Sequence, residues 1–226
     1  MIVVQVRRAV LVLMLGALAL SAQGVHPKSG RRIASVMGIG GAEWLERVER
    51  EREESPAKAL ELLGLKPGMV VADVGAGSGY YTIRMAKRVG PTGKIYANDI
   101  QPEMLTLLRK QLEKEKVANV EAVLGTETDP KLPKGELDMI IMVDVYHEFA
   151  QPQRMLRKLK EALKPDGQLV LLEFRKEDPY VPIRTEHKMS IAEAKLELEA
   201  EGFKLDKVLH DLPWQHMLFF RVAGAP

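Results

Sequence analysis

Strand and helix patterns alternate from Met69 to Phe174, a glycine-rich turn follows the first strand, and the last two strands succeed each other with no helix between them. These three observations predict an α/β fold: a doubly wound, mostly parallel sheet with helices on both faces and an antiparallel end. Met69–Val74 is a short apolar, β-branched run that stops at Gly75, and Tyr80–Val89 continues with helical spacing of Ile83, Met85, Ala86 and Val89. Gly90, Pro91, Thr92 and Gly93 break the chain before the strand Lys94–Asn98. Pro102, suited to the first helical position, opens the helix Glu103–Glu115. Val120–Leu124 and Met139–Val143 read as strands, Pro152–Leu163 as a helix, and Gln168–Phe174 as a strand after the turn Pro165, Asp166, Gly167. Ser190 with Glu193 forms a capping box for the helix Ile191–Glu201. Phe203–Leu209 and Met217–Val222, joined through Leu212, Pro213 and Trp214, must then pair antiparallel.

Composition narrows the function classes. In 226 residues, 33 Lys and Arg face 31 Asp and Glu, 46% of residues are hydrophobic and 28% charged, which suits one globular domain with its own core. The 18 Gly and 13 Pro are scattered, and no internal repeat is visible. With no Cys, disulfides, thiolate nucleophiles, Cys-ligated zinc and iron–sulfur clusters are excluded. Residues 1–22 carry Arg7 and Arg8, an apolar run Ala9–Leu20, and the small residues Ala19, Ser21 and Ala22, the pattern of a secretory signal peptide. The apolar run of 12 residues is short of the ~20 that span a bilayer. An uncleaved anchor recruiting Ile2–Val6 is the alternative. The expectation is therefore an exported, periplasmic protein, or one anchored by its leader, with no stable membrane insertion after cleavage. Removing the two arginines leaves 31 basic against 31 acidic residues, so no nucleic-acid partner is expected.

Residues 23–63 read as a helical leader and residues 64–226 as the main domain. In the leader, Glu43–Glu54 and, after a Ser55 cap and Pro56, Ala57–Leu63 are predicted helices. Trp44, Leu45 and Val48 form an apolar stripe at helical spacing, fit either to cover a ligand or to lie on the outside of the sheet. The run Glu49–Glu54 reads as a solvated face.

The turn Asp73, Val74, Gly75, Ala76, Gly77, Ser78, Gly79 sits where strand one meets helix one. Glycine there lets backbone approach a ligand and presents N–H donors at a helix N-terminus. A dinucleotide fingerprint wants another Gly at position 80, where this chain has Tyr80. The Asp73 carboxylate would also repel a pyrophosphate, whereas it suits the ammonium of S-adenosylmethionine. Asp99 ends strand two, 24 residues after Gly75, where it can accept both ribose hydroxyls, and Ile100 can cover an adenine face. Capping the following helix is the plainer role for Asp99.

The runs VADVGAGSGYYT (71–82), NDIQPEML (98–105), LDMIIMVDVYHEF (137–149) and LKPDGQLVLLEF (163–174) resemble class I S-adenosylmethionine-dependent methyltransferases over roughly residues 64–222. The resemblance implies a Rossmann-like, seven-stranded sheet with a reversed terminal strand and S-adenosylmethionine as cofactor. Carried over by position, it implies that Asp73, Gly75, Ala76, Gly77 and Gly79 line the methionine end, that Asp99 with Ile100 holds the nucleoside, and that backbone near Val143 and Asp144 meets the ammonium. Many relatives place Asp after the Gly that follows strand three. This chain reads Gly125, Thr126, Glu127, so Glu127 or Asp129 is the expected adenine contact. The leader SGRRIASVMGIGGAEWLERVEREREESP also resembles a subgroup of exported bacterial methyltransferases of unassigned substrate.

Methyl transfer from a sulfonium is an in-line displacement that needs alignment, exclusion of water and an activated nucleophile. Among five histidines, His147 lies just beyond strand four, at the edge where open α/β sheets bind ligands, and His187 lies in the loop after strand five. Both are candidate bases, with a satisfied loop histidine as the plainer reading of each, and Glu173 is the candidate that orients His147 or holds an acceptor amine. Tyr81 and Tyr146 are candidates to shape the acceptor pocket or simply core residues. Asp144 with Glu173 could bind Mg²⁺, but hard cations collect more oxygen ligands, so no metal is expected. The expected partner is a small-molecule acceptor; loop composition around 144–150 and 175–189 favours no acceptor atom, and oligomeric state leaves no mark. An exported module that binds adenosyl compounds without turnover, and a nicotinamide oxidoreductase, are the alternatives.

Overall fold

The computed structural model describes residues 24–224, so the segment expected to direct export, residues 1–22, lies outside the described residues. The strands are β1 (Val70–Val74), β2 (Lys94–Asp99), β3 (Val120–Leu124), β4 (Leu137–Val143), β5 (Leu163–Phe174), β6 (Phe203–Leu209) and β7 (Gln215–Val222). They form one seven-stranded sheet in the order β3-β2-β1-β4-β5-β7-β6. Strands β1 to β5 pair parallel, and β7 runs antiparallel to both β5 and β6. The order reverses between β1 and β4, which opens a crevice at the carboxyl ends of those strands.

Alternate residues of β4 serve opposite faces of this sheet. Ile140 and Met142 join Ala72, Leu156, Leu169 and Phe220, while Met139 and Ile141 join Val71, Met85, Val170 and Phe219. Burial on both faces is why β4 and β5 read as continuous apolar runs. Helices α4 (Tyr80–Val89), α5 (Pro102–Lys114), α6 (Pro152–Ala162) and α7 (Ile191–Glu199) follow their predicted spans to within two residues, and the Ser190–Glu193 capping box of α7 is present.

The leader departs from expectation. A single helix over 43–54 is replaced by two short ones, α1 (Ala42–Leu45) and α2 (Arg50–Glu53), before α3 (Pro56–Leu62). The break has a side-chain cause: the Arg50 guanidinium donates back to the Leu45 carbonyl at 2.9 Å and to Glu54 at 2.6 Å. Arg50 and Glu54 are therefore buried, not a solvated face, and Val48, expected on an apolar stripe, is 82% exposed. Ser55 caps nothing with its side chain and takes a left-handed conformation, φ 50°. Strand β5 starts earlier than expected, because Leu163 pairs with Leu137 before the register jumps to Gln168 opposite Met139, placing the predicted turn inside the irregularity. No helix among the described residues is long and apolar enough to cross a membrane.

Candidate active site

The crevice at the switch point holds a cavity whose floor is Val74, Gly75 and Gly77 from the turn after β1. Gly75 has φ 75°, and a Cβ there would lie 2.5 Å from Val145 Cγ2, so the turn passes under the β4 loop only as glycine. Gly79 serves packing: a Cβ would lie 2.4 Å from Leu108 Cδ1, and Ala76 joins Leu105 and Leu108 in the same cluster. Ala76 and Gly79 are thus placed toward α5, outside the cavity lining.

Three carboxylates divide the work. Asp73, expected at the ammonium, lies beneath the turn and does not line the cavity. It is buried, accepts the Thr82 hydroxyl at 2.5 Å, and is pushed up to about 6 by desolvation. Asp99 lines the cavity; Oδ2 accepts the Gly77 N–H and Oδ1 the Gln101 N–H, each at 2.9 Å. It therefore braces the glycine turn and the start of α5 together, with a second lone pair left on each oxygen for a ligand hydroxyl. Asp144, in the left-handed conformation at φ 52°, lines the wall after β4. Its Oδ2 accepts from Gln215 Nε2 at 2.7 Å, but its Oδ1 is buried with no partner. Burial, then the charges of Glu54 and Glu173, hold its carboxyl well above the ordinary carboxylate range. A cation arriving at Oδ1 would reverse that shift.

At the other end Ile100, Met104 and Glu127 line the cavity. Asp129 is spent on its own turn, accepting the Lys131 N–H at 2.8 Å. Asn98, not singled out from sequence, donates to the Pro130 carbonyl at 2.9 Å and ties that loop to the sheet.

The leader forms the facing wall through Val36, Met37, Trp44, Leu45 and Arg50, so Trp44 and Leu45 of its apolar stripe line the cavity while Val48 does not. Glu46 accepts the Ser78 hydroxyl at 2.5 Å, Glu51 accepts the Tyr80 hydroxyl at 2.9 Å, and Gln101 Nε2 donates to the Met37 carbonyl at 3.0 Å. Arg50 lies 4.3 Å from the Tyr80 ring centre and 5.2 Å from that of Tyr81. Tyr81 and Tyr146 are core residues outside the cavity lining.

The histidines His147 and His187 come together beside the Asp144 wall. Glu173, fully buried, accepts the Tyr146 N–H at 2.9 Å through Oε1 and holds His147 Nδ1 at 2.7 Å through Oε2. With Nδ1–H so donated, His147 Nε2 presents its lone pair to His187 Nδ1, 3.2 Å away. Glu148 Oε1 lies 3.9 Å from each of those two nitrogens and accepts the Met37 N–H at 3.3 Å. Burial lowers the His187 pKa, helped by the charge of His147, and burial pushes Glu148 up to about 7. Glu148 lines the cavity; His147 and His187 sit behind it. The His147 main chain is strapped by the leader, its carbonyl accepting from Ala34 N at 3.1 Å and Arg31 Nη1 at 3.0 Å. Arg31 in turn forks onto Glu197 of α7 at 2.8 and 3.0 Å, both side chains buried. Arg31, Arg50, Glu148 and Glu197 were invisible as site residues because charged side chains, alone or in a run such as Glu49–Glu54, read as surface in sequence.

A glycine turn at a sheet switch point, a carboxylate at the end of β2, a third carboxylate with an unpartnered buried oxygen after β4 and a reversed terminal strand define the class I methyltransferase architecture. The methyltransferase-domain family matches residues 65–212, and the chain belongs to that family, whose members use S-adenosylmethionine. A crystal structure of an S-adenosylmethionine-dependent methyltransferase from Aquifex aeolicus is 30% identical, covers 83% of this chain and 100% of its own, and superposes with a TM-score of 0.78. Aeropyrum pernix fibrillarin with natively bound S-adenosyl-L-methionine shares the fold at 21% identity and a TM-score of 0.51, over 69% of this chain and 67% of its own. A ubiquinone/menaquinone biosynthesis C-methyltransferase from Hydrogenovibrio crunogenus is 34% identical over 119 residues, 52% of this chain and 47% of that one. A protein-L-isoaspartate O-methyltransferase from Methanothrix thermoacetophila is 34% identical over 115 residues, 51% and 52% of the two chains. The chain spans about half the length of the curated relatives it matches.

Proposed function

We propose that this protein transfers the methyl group of S-adenosylmethionine to a small-molecule acceptor held between the leader and the carboxyl edge of the sheet. The observation that carries the reading is Asp144, a residue of the cavity wall whose buried Oδ1 has no hydrogen-bond partner. Burial and the charges of Glu54 and Glu173 disfavour the ionised form there, so a positive ammonium at Oδ1 supplies the compensation it lacks, whereas a diphosphate would add further negative charge. When bound, the cofactor supplies a methyl carbon on a positively charged sulfur, a good leaving group.

The chain's own residues do the rest. Asp99 offers its two remaining lone pairs to ribose hydroxyls, while Ile100, Met104 and Glu127 line the place for the base. Met37, Trp44 and Leu45 cover the cavity and exclude water. Val36, Phe149, Ala150 and Met155 make an apolar wall beside Glu148, which supports a small, largely apolar acceptor.

Calorimetry with adenosylhomocysteine and with NADH, followed by labelled-methyl transfer to phenols, quinols, amines and thiols, tests the reading. Adenosylhomocysteine should bind and NADH should not, and Asp144→Asn should weaken the former by about 1.5–3 kcal/mol, the loss of a charged hydrogen bond. NADH binding that excludes adenosylhomocysteine would overturn the cofactor assignment. Cofactor binding without transfer to any acceptor class would overturn the enzyme in favour of a binding module.

A further inference from the structure

We propose that His147, Glu148 and His187 form a divalent transition-metal site of the zinc class at the acceptor end of the cavity. Their ligand atoms are already gathered: His147 Nε2 and His187 Nδ1 are 3.2 Å apart, and Glu148 Oε1 is 3.9 Å from each. A tetrahedral ion with bonds of about 2.0–2.1 Å separates its ligand atoms by about 3.3 Å, so the nitrogens stand at coordination spacing and the carboxylate oxygen needs to close by about 0.6 Å on each. Two imidazoles and one carboxylate are a zinc-type donor set, unlike the all-oxygen cage that Mg²⁺ prefers.

A second observation points the same way. His147 does not merely lie near Glu148 and His187; its far nitrogen is held by Glu173 at 2.7 Å, with that carboxylate fully buried and anchored by the Tyr146 N–H. A carboxylate behind a ligating imidazole fixes the tautomer that leaves Nε2 free for a metal and raises its basicity. The Arg31 and Ala34 bonds to the His147 carbonyl hold the backbone of the same residue from the leader side. The His187 side chain, 29% exposed, gives an ion a way in from solvent.

Three protein ligands leave a fourth position open, and Glu148, which lines the cavity, puts the ion within one side chain of the space proposed for the acceptor. For what the ion does there, the inference rests on the methyl-transfer reading. An acceptor hydroxyl or thiol bound to the ion loses its proton to solvent more readily. Its lone pair then forms the bond to the methyl carbon as the carbon–sulfur bond breaks, with that electron pair staying on the sulfur of adenosylhomocysteine.

The test uses the untagged full chain, stripped with a chelator and loaded separately with Zn²⁺ and Co²⁺. One equivalent of zinc should survive desalting, and cobalt should give the visible absorption of a four-coordinate site. His187→Ala and Glu148→Gln should each lose the ion, and Glu173→Gln should weaken zinc affinity by roughly 10–100-fold. Thermal unfolding identifies any variant that has not folded, and the Glu148 variant then stands in for the His187 one. Adenosylhomocysteine affinity, measured on the same samples without metal, should match wild type in His187→Ala. No retained ion, or equal retention in folded His187→Ala through His26, His210 or His216, would overturn the site while leaving cofactor binding intact. Loss of adenosylhomocysteine binding in wild type would instead overturn the methyl-transfer reading.

Discussion

At the proposed nucleotide end of the cavity, Gly77 and Asp99 are joined by a hydrogen bond across 22 residues of chain, within a single strand–helix–strand unit. At the proposed acceptor end, the bond that steadies the His147 region runs from Arg31 to Glu197 across 166 residues, and His147 meets His187 across 40. The first end is made by local turn chemistry, and each of its parts adjoins a strand that the core already holds. The second end exists only when the leader, the β4 loop, the β5 loop and α7 are all docked. The nucleotide end should therefore tolerate loss of a distant contact, and the acceptor end should not.

The hardest test of that contrast is Glu197→Ala. It strands Arg31 as a buried, unpaired cation and should cost about 3–5 kcal/mol in denaturant unfolding. The double change Arg31→Met with Glu197→Leu should recover most of that loss, since apolar isosteres often replace a buried pair at little cost. Equal destabilisation by the single and double variants would show that the charge pair is not what docks the leader.

A smaller effect is expected at the nucleotide end, in binding and not in folding. Asp99→Ala should weaken adenosylhomocysteine by about 2–4 kcal/mol by calorimetry, as two ribose hydroxyls lose a charged acceptor. Unchanged affinity would reduce Asp99 to the brace for Gly77 and Gln101 seen in its hydrogen bonds.

The smallest effect comes from Asp73, buried beneath the turn and pushed up to about 6 from 3.8. Because the folded protein holds this proton more tightly than the unfolded chain, the group's contribution is present at low pH and is lost as pH rises through 6. Between pH 5 and pH 7 it should remove about 1.4 kcal/mol of stability. Urea unfolding of wild type and Asp73→Asn over that range checks it: the difference between the two should change by this amount, and parallel curves would exclude Asp73 as the source.

Much of this molecule was legible in sequence where periodicity and burial agree. The helix Tyr80–Val89 and the strands Val120–Leu124 and Phe203–Leu209 stand as their patterns predict. Gly75, Gly77, Asp99 and Ile100 line the cavity they were expected to line, since a turn between a buried strand and a helix has little freedom in where it points. The leader was misread because Arg50 and Glu54 have the spacing of a surface pair; the rings of Tyr80 and Tyr81, the Leu45 carbonyl and the Arg47 guanidinium, 2.7 Å from Glu54, make burial of that pair tolerable. Asp73 and Asp144 exchanged emphasis for a similar reason. Which of two buried carboxylates keeps an oxygen free depends on Thr82 and Gln215, partners that no spacing reveals.

Sequence alone determined the alternating sheet, its reversed end, the glycine turn and the acid at the end of β2, because each follows from residues near one another in the chain and from the two periods of strand and helix. Tertiary structure decided that the leader lines the cavity, that Asp144 carries the unpartnered carboxylate oxygen, and that His147, Glu148 and His187 converge. Those outcomes depend on which distant side chains meet in a closed, desolvated space, where a partner's presence or absence sets the energy of every buried charge.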